Sequence, residues 1–462
     1  MGSPSAFAHL NFPDYPRATL LSTSKLTFTA HPATRLSGRI RVPGDKSMSH
    51  RSIMFGAIAH GTTSVTGFLE GEDSLHTLDA FRAMGVRIER GGPGEVTLYG
   101  KGPQGLSPAS APIYLGNSGT GMRLLSGLLA GLNLPTTLTG DESLSGRPMR
   151  RIVDPLNTMG ASIKTADDGT PPLHIERSEQ LHGIEYTCPI ASAQVKSAIL
   201  LAGLSANGKT TVHEPAVTRD HTERMLRGFG VDVTSDGLSA SIEGGQSLTA
   251  TSLTVPGDIS SSAFYLVGAS MTPGSDLTIE GVGMNPSRTG VIDILRLMGA
   301  SIDVRNPRDA GGEPVADLHV IGGQLRGIEV PENLVSLAID EFPALFVAAV
   351  GATGQTVVSG AEELRVKETD RIQVMTDGLR ALGASIEDTP DGARIQGGTD
   401  GAARLAGGTA DSVGDHRTAM AFSMASLISE GPITILDCAN VNTSFPGFAD
   451  LANANGLQVD VS

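Results

Sequence analysis

The chain reads as an α/β protein of two pseudo-symmetric domains, each built from three repeated β/α units. Three observations carry that reading. A helix-like stretch, a glycine and a short β-branched run recur six times along the chain. A Val-Pro-Gly-Asp segment occurs twice, ending at Asp45 and at Asp258. The length of 462 residues exceeds the ~250–300 at which a single hydrophobic core stops growing.

Residues 1–24 hold three prolines, several Ser and Thr, and no periodicity. They lack an apolar signal core, and Arg17 is their only arginine, a poor match to a transit peptide. An unstructured extension is expected there, with an organellar address as the alternative. A strand near Lys25–Val42 follows. The first repeat reads Ala80-Phe-Arg-Ala-Met-Gly85-Val-Arg-Ile88, and its partners carry Gly160, Gly230, Gly299, Gly383 and Gly456 at the same place. Those glycines lie 75, 70, 69, 84 and 73 positions apart. Each stands where a helix end takes the left-handed conformation, and the alternation after it (Val-Asp-Val, Ser-Ile-Asp-Val) is strand-like.

The two Val-Pro-Gly-Asp segments divide the six units into three and three. Pro-Gly pairs form turns, so these segments are the expected crossings between domains. One domain is predicted at 43–255 and the other at 256–462, with 1–42 returned to it.

Composition narrows the function. Lys+Arg 34 against Asp+Glu 49 gives a net charge of −15, which argues against a nucleic-acid partner or a polybasic membrane patch. A small anion is not excluded, because a few focused cations can reverse the local potential. The nearest approaches to a membrane span, Leu124–Leu134 and Phe342–Gly351, are too short or broken. Cys188 and Cys438 are the only cysteines, which fits a reducing, cytoplasmic setting and excludes a disulfide scaffold or a multi-Cys metal site. Glycine, at 58 residues, is nearly twice its usual ~7% share.

Gly203-Leu-Ser-Ala-Asn-Gly208-Lys209-Thr210 matches the phosphate-binding P-loop pattern. That chemistry needs a strand before the loop and a helix after it. Here Ser192–Leu204 reads as helix and Thr210–His213 as strand, so the order is reversed and an ATPase is not expected.

Other segments are more substantial. Gly44-Asp-Lys46-Ser47-Met-Ser49-His-Arg51-Ser52 opens a helix with two cations and three hydroxyls. A cap needs one hydroxyl, and cations at the positive helix end oppose the dipole unless an anion joins them. Gly116-Asn117-Ser118-Gly119-Thr120-Gly121-Met-Arg123 is a glycine-rich loop of the kind that forms anion nests. Arg365-Val-Lys367-Glu368-Thr-Asp370-Arg371 places Lys367 and Arg371 four apart on one helical face, although a solvated, salt-bridged helix end would look the same. Arg147-Pro-Met149 and Asp415-His416-Arg417 stand at further helix starts. Asp340-Glu341 precedes the apolar run Phe342–Val350, an unusual place for two carboxylates.

These segments, in this order, resemble the 5-enolpyruvylshikimate-3-phosphate synthase family. Ser192-Ala193-Gln194-Val-Lys-Ser197, Thr218-Arg219-Asp-His and Thr443-Ser444-Phe-Pro complete the match, which runs from about Leu26 to Val459 and looks like the class II branch. The resemblance implies an enolpyruvyl transferase-like fold, described as an inside-out α/β barrel. It implies a 3-phosphoshikimate 1-carboxyvinyltransferase (EC 2.5.1.19) of the shikimate pathway, joining phosphoenolpyruvate to the 5-hydroxyl of shikimate 3-phosphate and releasing phosphate. No cofactor or metal, a monomeric state and inhibition by glyphosate are implied with it. Lys46, Ser47, Arg51, Ser192, Ala193, Gln194, Arg219, Asp340 and Lys367 would hold shikimate 3-phosphate. Lys46, Gly119, Arg147, Gln194, Arg371 and Arg417 would hold phosphoenolpyruvate. Lys46, Asp340 and Glu368 would move protons.

Two features qualify the match. Many members carry a Lys near the C-terminus where this chain has Thr443-Ser444. Some class II members carry Ala where this chain has Gly119, a change associated with glyphosate tolerance. The alternative within the same fold is the sister UDP-N-acetylglucosamine transferase, which usually carries a reactive loop cysteine in its first half; Cys188 is the only counterpart here.

Overall fold

The computed structural model describes residues 26–310, 312–399 and 404–462; the extension expected at 1–24 lies outside them. Each of the six units combines an apolar inner helix, a second and more amphipathic helix, and a small sheet. The inner helices are α1 (Lys46–Ile58), α3 (Gly119–Gly131), α5 (Ala193–Gly203), α7 (Ile259–Ser270), α9 (Phe342–Val350) and α11 (His416–Ala425). The outer ones are α2 (Glu72–Ala83), α4 (Arg150–Thr158), α6 (His221–Gly228), α8 (Gly290–Leu297), α10 (Arg371–Ala381) and α12 (Phe448–Ala454).

The repeated glycines end the outer helices. All six have positive φ, from 85° at Gly230 to 114° at Gly456. In every unit the residue after the glycine donates its N–H to a carbonyl five positions back, as from Val86 to Phe81 (3.0 Å) and from Leu457 to Ala452 (3.1 Å). That bond satisfies a carbonyl the helix end would otherwise leave open. A second lock recurs with it. The side chain three residues before the glycine reaches the strand carbonyl six residues on: Arg82 to Ile88, Asn157 to Ile163, Arg227 to Val233, Arg296 to Ile302, Arg380 to Ile386 and Asn453 to Val459. Each unit therefore fixes its own helix-to-strand turn.

Five of the sheets have four strands and one has three, and each unit keeps its own sheet. Among the described residues no sheet closes into a barrel, which corrects the expected inside-out α/β barrel. Closure needs an unbroken hydrogen-bonded ladder with strands tilted around a common axis. Here each ladder stops at the unit boundary, and neighbouring units meet through their inner helices.

Buried apolar side chains form two clusters. One draws on Met48–Val255, the other on Phe28–Val42 together with Ile259–Val459. The N-terminal strands join the second set: Phe28–His31 lies between Ile433–Leu436 and Gln458–Val461, and Ser37–Ile40 pairs with Asp276–Gly283. The two chain crossings meet as a pair. Asp45 N–H donates to the Pro256 carbonyl (2.8 Å) and Asp258 N–H to the Pro43 carbonyl (2.9 Å). The P-loop look-alike has the order read from sequence, with α5 before it and the strand Lys209–His213 after it. Among the described residues no helix is long and apolar enough to cross a membrane.

Inner helices pack closely because small residues face one another. A Cβ added at Gly127 of α3 would lie 2.0 Å from the Ala198 carbonyl oxygen of α5, so Gly127→Ala should destabilise the protein by about 1–3 kcal/mol through overpacking, measured as a lower urea midpoint. His50 of α1 is fully buried, its Nδ1 2.8 Å from the Thr77 hydroxyl. Burial, with the charges of Lys46 and Arg51, holds its pKa well below the ordinary 6.5. A depressed folded-state pKa gives stability that is complete above the unfolded value and is lost as pH falls below it. Urea stability should therefore fall between pH 6.5 and 5, and His50→Gln should flatten that dependence by about 1.4 kcal/mol per pH unit.

Candidate active site

The inner helices converge. Their first turns or capping residues supply Lys46 and Ser47 (α1), Gly119 and Thr120 (α3), Gln194 (α5), Asp258 (α7) and Arg417 (α11) to one cleft, and Asp340 stands two residues before α9. Each helix start carries partial positive charge and unpaired N–H groups, so the cleft is built for anions. Eight cationic side chains line it against four carboxylates, a local excess of positive charge in a chain of net charge −15. Among the described residues no group of three or more His, Cys, Asp or Glu is placed to hold a metal ion.

The first half contributes a wall of cations on rigid supports. Asp45 caps α1 by accepting from Met48 N–H (2.8 Å), and Lys46 projects its Nζ to Asp73 Oδ2 (3.2 Å). Ser118 caps α3 by accepting from Gly121 N–H (3.0 Å). The Arg147 guanidinium is held by the Asn117 side-chain oxygen and the Ser143 hydroxyl. Gln194 donates to Thr120 Oγ1 (2.9 Å) and accepts from Arg123. Arg123 is 5% exposed, and its Nε and Nη2 find no hydrogen-bond partner among the described residues. A buried guanidinium with open donors is costly unless an anion meets it.

The second half faces this wall with carboxylates. Asp340 pairs across the cleft with Arg219 (2.9 Å) and within its own half with Arg371 (3.3 Å) and Lys367 (3.8 Å). Arg417 donates to the Asp340 carbonyl oxygen (3.2 Å). Glu368 pairs with Arg371 and stands 3.8 Å from Arg147 of the first half. Burial alone would raise both carboxyls, but the cations overcome it. Arg219, Lys367, Arg417 and Arg371 hold Asp340 well below its usual pKa, and Arg371, Arg147, His416 and Lys46 do the same for Glu368. Burial lowers the Lys367 ammonium, against the pull of Asp340 and Glu363. A further pair, Arg151–Glu363 at 3.1 Å, also spans the halves. In this arrangement acidic side chains occupy the cations, and the remaining cavity is about 50 Å³.

Ten of the residues singled out from sequence line the cleft: Lys46, Ser47, Gly119, Arg147, Gln194, Arg219, Asp340, Lys367, Glu368 and Arg417. Four lie behind it. Arg51 is buried against Thr222 (2.7 Å), Ser197 (2.9 Å) and the Ser47 carbonyl (2.9 Å). Arg371 is 1% exposed and bonded to Asp415 (2.7 Å). Ser192 and Ala193 form the buried start of α5. Sequence reading missed Asp73, Arg123, Arg151, Asp258 and Arg288, all of which line the cleft. Arg123 closes the glycine-rich motif and could have been found there; Arg151 and Arg288 carry no local signal. Thr443 and Ser444 are buried and lie outside the cleft lining, with the Thr443 carbonyl against Gly71.

A family model described as EPSP synthase (3-phosphoshikimate 1-carboxyvinyltransferase) matches residues 30–451. The 3-phosphoshikimate 1-carboxyvinyltransferase of Methylococcus capsulatus is 59% identical over 437 residues, covering 95% of this chain and 99% of its own. That of Alkalilimnicola ehrlichii is 60% identical over 432 residues, with coverage of 94% and 96%. The solved structure of EPSP synthase from Acinetobacter baumannii superposes with a TM-score of 0.84 at 56% identity, over 95% of this chain and all of that one. A cation-lined cleft between two three-unit halves, reached by matches along nearly the whole chain, places the protein in the EPSP synthase family of enolpyruvyl-transferring enzymes.

Proposed function

We propose that the chain transfers the enolpyruvyl group of phosphoenolpyruvate to the 5-hydroxyl of shikimate 3-phosphate, with release of phosphate. One observation carries the reading: eight cations line a single cleft, and five of them, Lys46, Arg123, Arg147, Arg151 and Arg219, come from the half opposite Asp340 and Glu368. Two polyanions must meet there, and planar guanidiniums suit phosphate and carboxylate groups because they bond them bidentately. Lys46, Ser47, Arg219 and Lys367 are assigned to shikimate 3-phosphate, with Arg51, Ser192, Ala193 and Gln194 supporting its phosphate. Lys46, Gly119, Arg147 and Arg417 are assigned to phosphoenolpyruvate, with Arg371 oriented behind them.

The carboxylates then have a task that follows from their surroundings. Asp340 is held ionised by four cations; once substrate anions draw those cations away its basicity rises, and it can accept the proton of the attacking hydroxyl. Glu368 is ionised while Arg371 and Arg147 serve it. A substrate carboxylate that takes those cations removes the stabilisation of Glu368 and raises its proton affinity. Glu368 can then carry a proton to and from the methylene carbon, while Lys46 assists the leaving phosphate. The sister activity with a nucleophilic cysteine finds little support: Cys188 is buried, and burial pushes its thiol up to about 12, where a thiolate does not form at neutral pH.

A coupled assay for phosphate release with both substrates tests the assignment; release with UDP-N-acetylglucosamine and none with shikimate 3-phosphate would overturn it. Glu368→Gln should retain ligand binding by calorimetry and lose at least about 10²-fold in kcat, the scale of general acid–base help. Glyphosate binding beside Gly119 is part of the same proposal. A Cβ at Gly119 would stand 2.9 Å from Arg147 Nη1 and 3.2 Å from Arg123 Nη1. Gly119→Ala should therefore raise the glyphosate inhibition constant by roughly 10-fold or more, at about 1.4 kcal/mol per tenfold. Asp340–Arg219 and Glu368–Arg147 join the halves across the cleft, so ligands that take these cations should change how the halves stand to one another. Small-angle scattering should show the radius of gyration changing when shikimate 3-phosphate is added.

A further inference from the structure

At the buried wall of the cleft, where the two halves cross, lies a cluster with one cation at its centre. Arg288, in the segment between the strand Asp276–Gly283 and α8, is 4% exposed. Its Nη1 is 3.3 Å from Asp45 Oδ2, and its Nη2 is 3.3 Å from Asp258 Oδ1 and 2.6 Å from the Ser260 hydroxyl. Glu341 Oε1 stands 3.7 Å away and accepts from that same hydroxyl. His221 Nε2 approaches Nη1 at 3.4 Å, and its Nδ1 meets Glu313 at 2.9 Å, joining α6 of one half to the strand Glu313–Ile321 of the other.

The positions of these carboxylates give the cluster its meaning. Asp45 caps α1, and Asp258 caps α7, the pseudo-equivalent helix of the other half; Asp258 Oδ1 accepts from Ser260 N–H at 2.8 Å. Asp258 Oδ2 also accepts the backbone N–H of Lys46 at 3.1 Å. Glu341 is the neighbour of Asp340. One guanidinium therefore touches the cap below Lys46, the carboxylate bonded to the Lys46 amide, and the residue beside Asp340. The pseudo-symmetry is broken at this point. Arg288 stands 11 residues before Gly299, and the residue 11 before Gly85 is the buried Ser74. A single arginine serves both halves.

We propose that Arg288 is a positioning residue: it ties the caps of α1 and α7 to each other and to Glu341, and so holds Lys46 of one half in register with Asp340 of the other. The inference rests on the roles assigned above to Lys46 and Asp340. Arginine suits the task because its rigid fork presents several donors at fixed angles, which a lysine ammonium does not. Burial would weaken the charge on Arg288, but Asp258, Asp45 and Glu341 raise its proton affinity above the ordinary value, so it stays cationic.

A double-mutant cycle tests this, since residues that act through one another are non-additive. Arg288→Met should lower kcat/KM by about 10²-fold, the cost of a displaced catalytic group, with a melting temperature within a few degrees of the parent. In a Lys46→Met background the same change should cost less than about threefold, because the group being positioned is gone. Arg288→Lys, which restores the charge but not the fork, should recover about tenfold. If Lys46→Met turnover falls below detection, the cycle is read on the calorimetric Kd of shikimate 3-phosphate. If Arg288→Met does not fold, Asp45→Asn replaces it, keeping a cap side chain while removing the anchor of Nη1. Equal losses in both backgrounds, or parental activity in Arg288→Met, would overturn the inference. Parental turnover in Lys46→Met would instead overturn the assignment of Lys46, and the inference with it.

Discussion

Like charge gathered in one place is the constraint on which this structure depends. Helix starts from all six units meet in one cleft, and lysines and arginines are added to them there. Such a cluster is unstable without counter-charge, and Asp340 and Glu368 provide it, reaching Arg219 and Arg147 of the opposite half. In the proposed reaction the same carboxylates are the groups that move protons. Balancing the cleft and equipping it for chemistry are thus one arrangement, and the substrates' own anionic groups would substitute for the acids when they enter. In the proposed reaction that substitution would turn an electrostatic balance into a way of adjusting proton affinity at the moment of use.

The scaffold keeps this arrangement precise by assigning local tasks to local residues. Every unit ends its outer helix with the same glycine geometry and the same side-chain lock to the following strand. Inner helices are capped by Asp45, Ser118, Asp258 and Asp415, so their first residues are fixed within a turn of the cleft. The apolar bodies then bury against one another, with Gly127 allowing α3 to approach α5 at backbone distance.

Much of this was legible in the sequence, for reasons that differ by residue. The six glycines showed the repeat because a left-handed helix end tolerates few other side chains. Lys46, Arg147, Asp340, Glu368 and Arg417 were legible because charges next to apolar helix starts need an explanation. Arg371 was read as a ligand-facing cation but lies buried among Asp340, Glu368 and Asp415; spacing tells which face a side chain shares, not what covers it. Arg151 and Arg288 were not found, because their partners Glu363 and Asp45 lie 212 and 243 positions away and leave no local pattern. The barrel expectation failed because repeated units imply packing between neighbours but do not specify a shared ladder.

The strand Phe28–His31 forms near the beginning of the chain yet lies between two strands from its far end, with His31 bonded to Asp460 across 429 positions. During synthesis the segment emerges about 400 residues before the strands Ile433–Leu436 and Gln458–Val461 that flank it. At ~5–20 residues per second that wait lasts roughly 20–90 s, during which an unpaired β segment is open to other chains. The half drawn from Met48–Val255 depends on no such late arrival and can complete its core while the rest is still being made. A fold that is nearly symmetric in space is therefore strongly asymmetric in time.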